Sequence, residues 1–255
     1  MISLNSFFRS DESDFTDLKR LIENMYTENG NKKTVLVCHS NGCNNNYYFL
    51  LQATDAWKKK YIQAWVTLGA PLGGATMGLA AVVTGDNFNI ALISKTVAYD
   101  LEHTFSSIGA VLPVSSVFEN ITLLSLEGKD YTAKDIPQIY RLVNDTVGAT
   151  MWQKSVDVLD ATFPHPGVEV HCLRAIGTPT VQSLQFWSRK SFPRSPRNVF
   201  GPGDGTVNQV SSDVCLRWRD QPDFHTVEFG RPVNHMLLGT GQQTADYLIQ
   251  EVLHL

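Results

Sequence analysis

No apolar run in the sequence approaches the ~20 residues that a membrane-crossing helix needs, so no span is expected. A signal-peptide pattern is missing as well. Met1 to Asn29 has no basic start, and Asp11, Glu12, Asp14 and Asp17 interrupt any apolar core. Neither sign of charge dominates. Lys and Arg number 21 against 25 Asp and Glu, a net charge of −4 that gives no basis for nucleic-acid binding. The two basic clusters, Lys58-Lys59-Lys60 and the stretch from Arg189 to Arg197, are short and read as a helix end and a solvated loop. No internal repeat or low-complexity segment occurs. No His/Cys/Asp cluster has ligand spacing. His165 and His171 lie near one another but read as loop and strand residues, so neither a metal nor an organic cofactor is expected. A composition of 43% hydrophobic and 18% charged residues excludes disorder, and 255 residues suffice for one domain, or one domain with a cap.

What is present begins with a short β-branched strand that stops at a serine: Thr34-Val35-Leu36-Val37-Cys38-His39-Ser40-Asn41-Gly42. A helical pattern follows. Small-His-Ser-x-Gly between a strand and a helix is the sequence form of a nucleophile elbow. The turn is so tight that the positions two before and two after the serine need small side chains, here Cys38 and Gly42. The backbone N–H of Asn41, just after the serine, is then an oxyanion donor. An ordinary serine in a strand–helix turn is the competing reading. Cys38 and Cys43, flanking the elbow, read as small buried thiols rather than reactive groups.

Far downstream come Gly203-Asp204-Gly205-Thr206-Val207 and Val233-Asn234-His235-Met236. Serine is a poor nucleophile until a base takes its proton, and the imidazole needs an acid to fix its tautomer. Taken singly, Asp204 fits a plain loop and His235 an ordinary helix start. Ser40, Asp204 and His235 in that order form the chain order of an α/β-hydrolase triad, and one reading explains all three.

Coarse periodicity predicts a helix opening at Ser10 and ending at Gly30, then the nucleophile strand. A helix from about Cys43 to Lys60 follows, then buried strands at Tyr61–Leu68, Val168–Leu173 and about His225–Phe229, and a terminal amphipathic helix. Apolar strands alternating with helices imply a mostly parallel sheet with helices on both faces. The stretch 74–166 breaks that alternation and reads as a cap or lid insertion in a single domain, with plain core packing as the rival reading.

The chain resembles the lecithin–cholesterol acyltransferase and lysosomal phospholipase A family of lipid acyltransferases. The resemblance rests on His39-Ser40-Asn41-Gly42, Asp55-Ala56-Trp57-Lys58-Lys59-Lys60-Tyr61-Ile62, Leu68-Gly69-Ala70-Pro71-Leu72-Gly73-Gly74 and Thr84-Gly85-Asp86-Asn87. It continues in Pro166-Gly167-Val168-Glu169-Val170-His171-Cys172-Leu173, Gly203-Asp204-Gly205-Thr206-Val207 and the region of His235, all in family order. It implies an α/β-hydrolase fold with Ser40 as nucleophile, Asp204 as acid and His235 as base. It implies a Cys172–Cys215 disulfide and a lid at about Leu92 to Pro113. The implied substrate is a glycerophospholipid, met at a membrane or lipoprotein surface, and the acyl acceptor is a lipid alcohol or water. The implied compartment is secreted or lysosomal. Sequons at Asn120-Ile121-Thr122 and Asn144-Asp145-Thr146 agree with that compartment and are glycosylation candidates.

Two departures from the family stand out. Leu72 occupies a position that is usually Trp, which alters one wall of the substrate pocket. Before Thr34 there is room for one helix only, so the first hydrolase strands, the membrane-binding subdomain and the loop that carries a second oxyanion donor are not expected here. The chain therefore reads as an N-terminally truncated, C-terminal part of such a hydrolase. Two rival functions follow: an inactive lipid- or partner-binding fragment, and a carboxylesterase acting on small soluble esters.

Overall fold

The computed structural model describes residues 13–85, 97, 99, 106–158 and 162–254. Helix α1 (Ser13–Glu28) precedes strand β1 (Thr34–His39), whose β-branched run favours the extended backbone. The single helix expected from Cys43 to Lys60 is two helices, α2 (Gly42–Gln52) and α3 (Asp55–Tyr61). The break falls where Ala53 turns extended and the Thr54 side chain caps α3 by accepting a hydrogen bond from the Trp57 N–H. The capping signal of Thr54 competes successfully with the continuing apolar period.

Strand β2 (Ile62–Leu68) pairs in parallel with β1 and with β5 (Glu169–Ala175), and β5 pairs in parallel with β8 (Phe224–Phe229). The order is β1-β2-β5-β8. Side chains alternate between its two faces. Trp65, Val170 and Cys172 pack with Tyr47, Leu50 and Trp218 on one side. Val66, Leu68, Leu173 and Ala175 pack with Val233, Leu238 and Val252 on the other. Both faces are covered, so the central strands read as continuous apolar runs, in the α/β-hydrolase manner expected. β1 lies at one edge of the sheet, and its Val37 is 47% exposed.

A second four-stranded sheet, ordered β4-β3-β6-β7, packs under helix α4 (Thr76–Thr84). Its hairpin β3 (Leu124–Leu126) and β4 (Lys129–Tyr131) comes from the stretch expected to be an insertion. Its partners β6 (Thr180–Phe186) and β7 (Arg197–Gly201) lie beyond that stretch. Both were illegible: β6 alternates imperfectly, and β7 begins inside the basic run read as a solvated loop. The second layer is therefore shared between the stretch 74–166 and the segment leading to Asp204. Most of the expected lid, Leu92 to Pro113, lies outside the described residues; its last part is a short helix, Ser106–Ala110, followed by buried Leu112. Lys58 is no surface cation. It is buried, donating to the Pro166 carbonyl at 2.8 Å and pairing with Asp55 at 3.0 Å.

Candidate active site

Ser40 follows the last residue of β1 at φ +55°, a left-handed conformation that a side chain rarely adopts without a reason. Its N–H donates to the Leu68 carbonyl at 3.0 Å, extending the β1–β2 ladder, and its carbonyl accepts from the Cys43 N–H at 2.9 Å as α2 begins. Strand and helix thus hold the turn from both sides. The elbow also carries a covalent feature that sequence reading missed. Cys38 and Cys43, expected as separate thiols, form a disulfide with Cα atoms 5.0 Å apart. The reversal of the chain at Ser40 brings the end of β1 back against the first turn of α2, and two cysteines straddling a sharp turn were the available signal. The second disulfide joins Cys172 to Cys215, across 43 residues.

His235 opens the helix His235–Thr240, and the cap Asn234 accepts from the Leu237 N–H. Its N–H donates to the backbone carbonyl of Asp204 at 2.9 Å. The side chains repeat that link: His235 Nδ1 lies 2.8 Å from Asp204 Oδ2, and His235 Nε2 lies 2.9 Å from Ser40 Oγ. Asp204 is 2% exposed and His235 5%. The remaining carboxylate oxygen of Asp204 accepts from the N–H groups of Thr206 and Val207 at 2.9 and 2.7 Å. A buried carboxylate needs such partners, and here the backbone of its own turn supplies them. That turn follows β7 and is tied to the main sheet where Thr178, just past β5, bridges to Asp204. An ionised carboxylate only accepts, so His235 carries its proton on Nδ1 and presents a lone pair at Nε2 to the serine hydroxyl. The structure thus brings together the three residues singled out in the sequence, although they are spread over 195 positions.

Two further residues belong to the site. Gly69 sits at φ +58°, and a Cβ there would lie 3.0 Å from His235 Nδ1 and 3.2 Å from Asp204 Oδ2. A side chain there would be strained by the backbone and crowd the Asp204–His235 pair, so glycine suits the position. His39 precedes the serine. Its Nε2–H donates to the His235 carbonyl at 2.9 Å, and the two rings lie 4.6 Å apart. Burial lowers its pKa from the ordinary 6.5. Asn41, the expected oxyanion donor, is the N-cap of α2.

Beside α2, an apolar cavity of about 340 Å³ is lined, among the described residues, by Tyr47, Leu51, Leu72, Leu112, Trp152 and Phe163. Leu72, where the family usually has Trp, is therefore a cavity wall. Asn120 and Asn144 are both exposed, Asn144 closing a helix in the left-handed conformation.

A family model described as lecithin:cholesterol acyltransferase matches residues 8–139 and 128–236. The phosphatidylcholine-sterol acyltransferase of Gallus gallus is 35% identical over 225 residues, covering 87% of this chain and 54% of that protein. The lysosomal phospholipase A and acyltransferase of Homo sapiens is 35% identical over 215 residues, covering 84% and 51%. The chain thus spans about half the length of the curated relatives it matches. Among solved structures, the crystal structure of the Tle4–Tli4 complex aligns with a TM-score of 0.54 at 11% identity, over 86% of this chain and 59% of that one, a likeness of fold. No helix among the described residues is long and apolar enough to cross a membrane. With the family model matched across most of its length, the chain belongs to the lecithin:cholesterol acyltransferase family.

Proposed function

We propose that this chain carries the catalytic triad of a serine-dependent lipid acyltransferase and phospholipase. The observation that supports it most is the unbroken line Asp204 Oδ2, His235, Ser40 Oγ at 2.8 and 2.9 Å, on a chain of this family. Ser40 Oγ attacks the carbonyl carbon of a fatty-acyl ester of a glycerophospholipid while His235 Nε2 takes its proton. The Asn41 N–H, at the N-terminus of α2, donates to the oxyanion that forms. Collapse breaks the ester bond. The departing lysophospholipid oxygen takes the proton from Nε2, and the acyl group stays on Ser40. A lipid alcohol or water then gives its proton to His235 Nε2 and its oxygen to the acyl carbon; the acyl–Oγ bond breaks, Ser40 Oγ takes that proton back from Nε2, and an acylated alcohol or a free fatty acid leaves. Asp204 stays ionised throughout and stabilises the imidazolium.

The apolar cavity beside α2 suits the acyl chain, its volume lying in the usual range of about 300–1,000 Å³ for ligand pockets. Two disulfides and two exposed sequons fit a secreted or lysosomal compartment, with the substrate met at a membrane or lipoprotein surface. The test is labelling with a fluorophosphonate ester, followed by peptide mapping, alongside a vesicle assay for fatty acid and acylated alcohol. Label on Ser40, lost in Ser40→Ala, is expected, together with phospholipid turnover. Label that survives Ser40→Ala removes the nucleophile. Turnover of small soluble esters without phospholipid turnover would favour the carboxylesterase reading.

A further inference from the structure

Toward the N-terminal end of the same sheet, three side chains gather that the triad does not use. Glu169 opens β5, and His171 stands two residues on, on the same face. His225 of β8 is the register partner of His171. Glu169 Oε1 lies 2.8 Å from His171 Nε2 and 3.7 Å from His225 Nε2. The two imidazoles stack with centroids 4.6 Å apart and planes 21° apart. One donor atom from each of the three residues lies within 4.8 Å of the others. We propose that Glu169, His171 and His225 bind a divalent transition-metal ion of the zinc type.

The donor set argues for that class. Two imidazoles and one carboxylate suit zinc, cobalt and nickel, whereas calcium and magnesium take oxygen ligands. Donors roughly 2.0–2.1 Å from a tetrahedral ion stand about 3.4 Å apart, so the 2.8 Å spacing must widen and the 3.7 Å spacing narrow, each by less than about 1 Å. The second layer is in place too. His171 Nδ1 lies 2.9 Å from the Tyr247 hydroxyl, which fixes the ring and leaves Nε2 aimed at the site. Access is open: the His171 side chain is buried, but those of Glu169 and His225 are 39% and 49% exposed, and water completes the coordination. The Glu169–His171 hydrogen bond alone does not account for His225, whose Nε2 stops 3.7 Å from the carboxylate, beyond hydrogen-bond reach. All four cysteines are in disulfides, so no thiolate competes. Reading the sequence for ligand spacing missed this site because His225 lies 54 positions from His171 and reaches it only through strand pairing. Bound there, the ion ties the edge strand β8 to β5.

The test uses the untagged chain, oxidised, in buffer free of chelators. Zinc chloride titrated in a calorimeter should bind one ion per chain, cobalt chloride should give the visible absorption of a tetrahedral ion, and zinc should raise the melting temperature. His225→Ala should weaken binding at least about ten-fold and abolish the thermal shift, and Tyr247→Phe should weaken it about ten-fold. His235→Ala should leave zinc binding unchanged. The absence of one-to-one binding in the wild-type chain overturns the site. So does undiminished binding in His225→Ala, and so does binding lost in His235→Ala, which would place the ion at the triad. Circular dichroism checks the His225→Ala fold. If that variant is not folded, Glu169→Gln is measured in its place, and there too undiminished binding overturns the site.

Discussion

His235 and His171 stand at different levels of one four-stranded architecture, each with a carboxylate within 2.8 Å, yet their surroundings differ. Asp204 is sealed from solvent, and both of its oxygens are occupied: one by two backbone N–H groups, the other by His235 Nδ1. The tautomer of His235 is therefore dictated, and its one free lone pair faces a hydroxyl. Glu169 is over a third exposed and binds His171 at Nε2, while Nδ1 goes to a tyrosine hydroxyl. That carboxylate can exchange its partner without leaving a buried charge alone. Locked geometry suits proton transfer, and an exchangeable, solvent-facing partner suits an ion.

The largest expected effect lies at the locked end. Asp204→Asn leaves the volume intact but permits the wrong tautomer, and His235→Ala removes the base. Each should cut phospholipid turnover about 10³- to 10⁴-fold with the circular dichroism spectrum unchanged. Near-normal turnover in either variant would remove that residue from the triad, and with it the contrast between the two histidines.

Gly69→Ala sharpens the contrast without replacing Ser40, Asp204 or His235. The new methyl would press on His235 Nδ1 and Asp204 Oδ2 at 3.0 and 3.2 Å, on a backbone at φ +58°. A displacement of this kind should cost about 10²-fold in kcat, with fluorophosphonate labelling slowed in proportion. Unchanged kcat would mean that the acid–base pair tolerates displacement.

These residues were not equally legible in the sequence. Ser40 was, because a nucleophile elbow constrains its neighbours to small residues within a single turn of chain. Asp204 and His235 were legible through their order and local turn chemistry. Gly69 appeared as part of a family motif, but its reason, a clearance of 3.0 Å under a histidine, exists only in three dimensions. The parallel sheet followed from apolar runs at β1, β2, β5 and β8. The second sheet did not, because its strands are three to seven residues long and β7 is mostly exposed. Neither periodicity nor motif reports which strands pair, so the meeting of His171 with His225 was hidden until the register was fixed.

Cys172 lies on β5 between the histidine cluster and the triad end, and its disulfide to Cys215 closes 43 residues. In the chain-entropy account, replacing the pair with serines should cost about 4 kcal/mol, read as a fall in urea midpoint at constant m-value. The Cys38–Cys43 bond spans a separation of five and should contribute about 2 kcal/mol by the same account. Equal losses from both pairs would show that strain or packing outweighs loop closure.

The smallest effect tests the electrostatics beside the triad. His39 is held below 6.5, first by burial. Its bond to the His235 carbonyl and the charge of Asp204 oppose that lowering, while the His235 ring adds to it. The folded chain therefore binds a proton at His39 less readily than the unfolded chain does. Between the lowered folded value and 6.5 the unfolded state carries more protons, so stability rises with pH across that window and is lost as pH falls through it. Burial also holds His165 and His171 down and adds slope of the same sign. Urea midpoints measured from pH 7.5 to pH 5 should therefore decline. His39→Gln, which keeps an N–H donor for the His235 carbonyl but does not titrate, should decline less steeply. A wild-type chain that gains stability on acidification would mean that the folded state binds protons more readily than the unfolded state, and a His39→Gln slope equal to the wild type would mean that His39 binds its proton equally in both states.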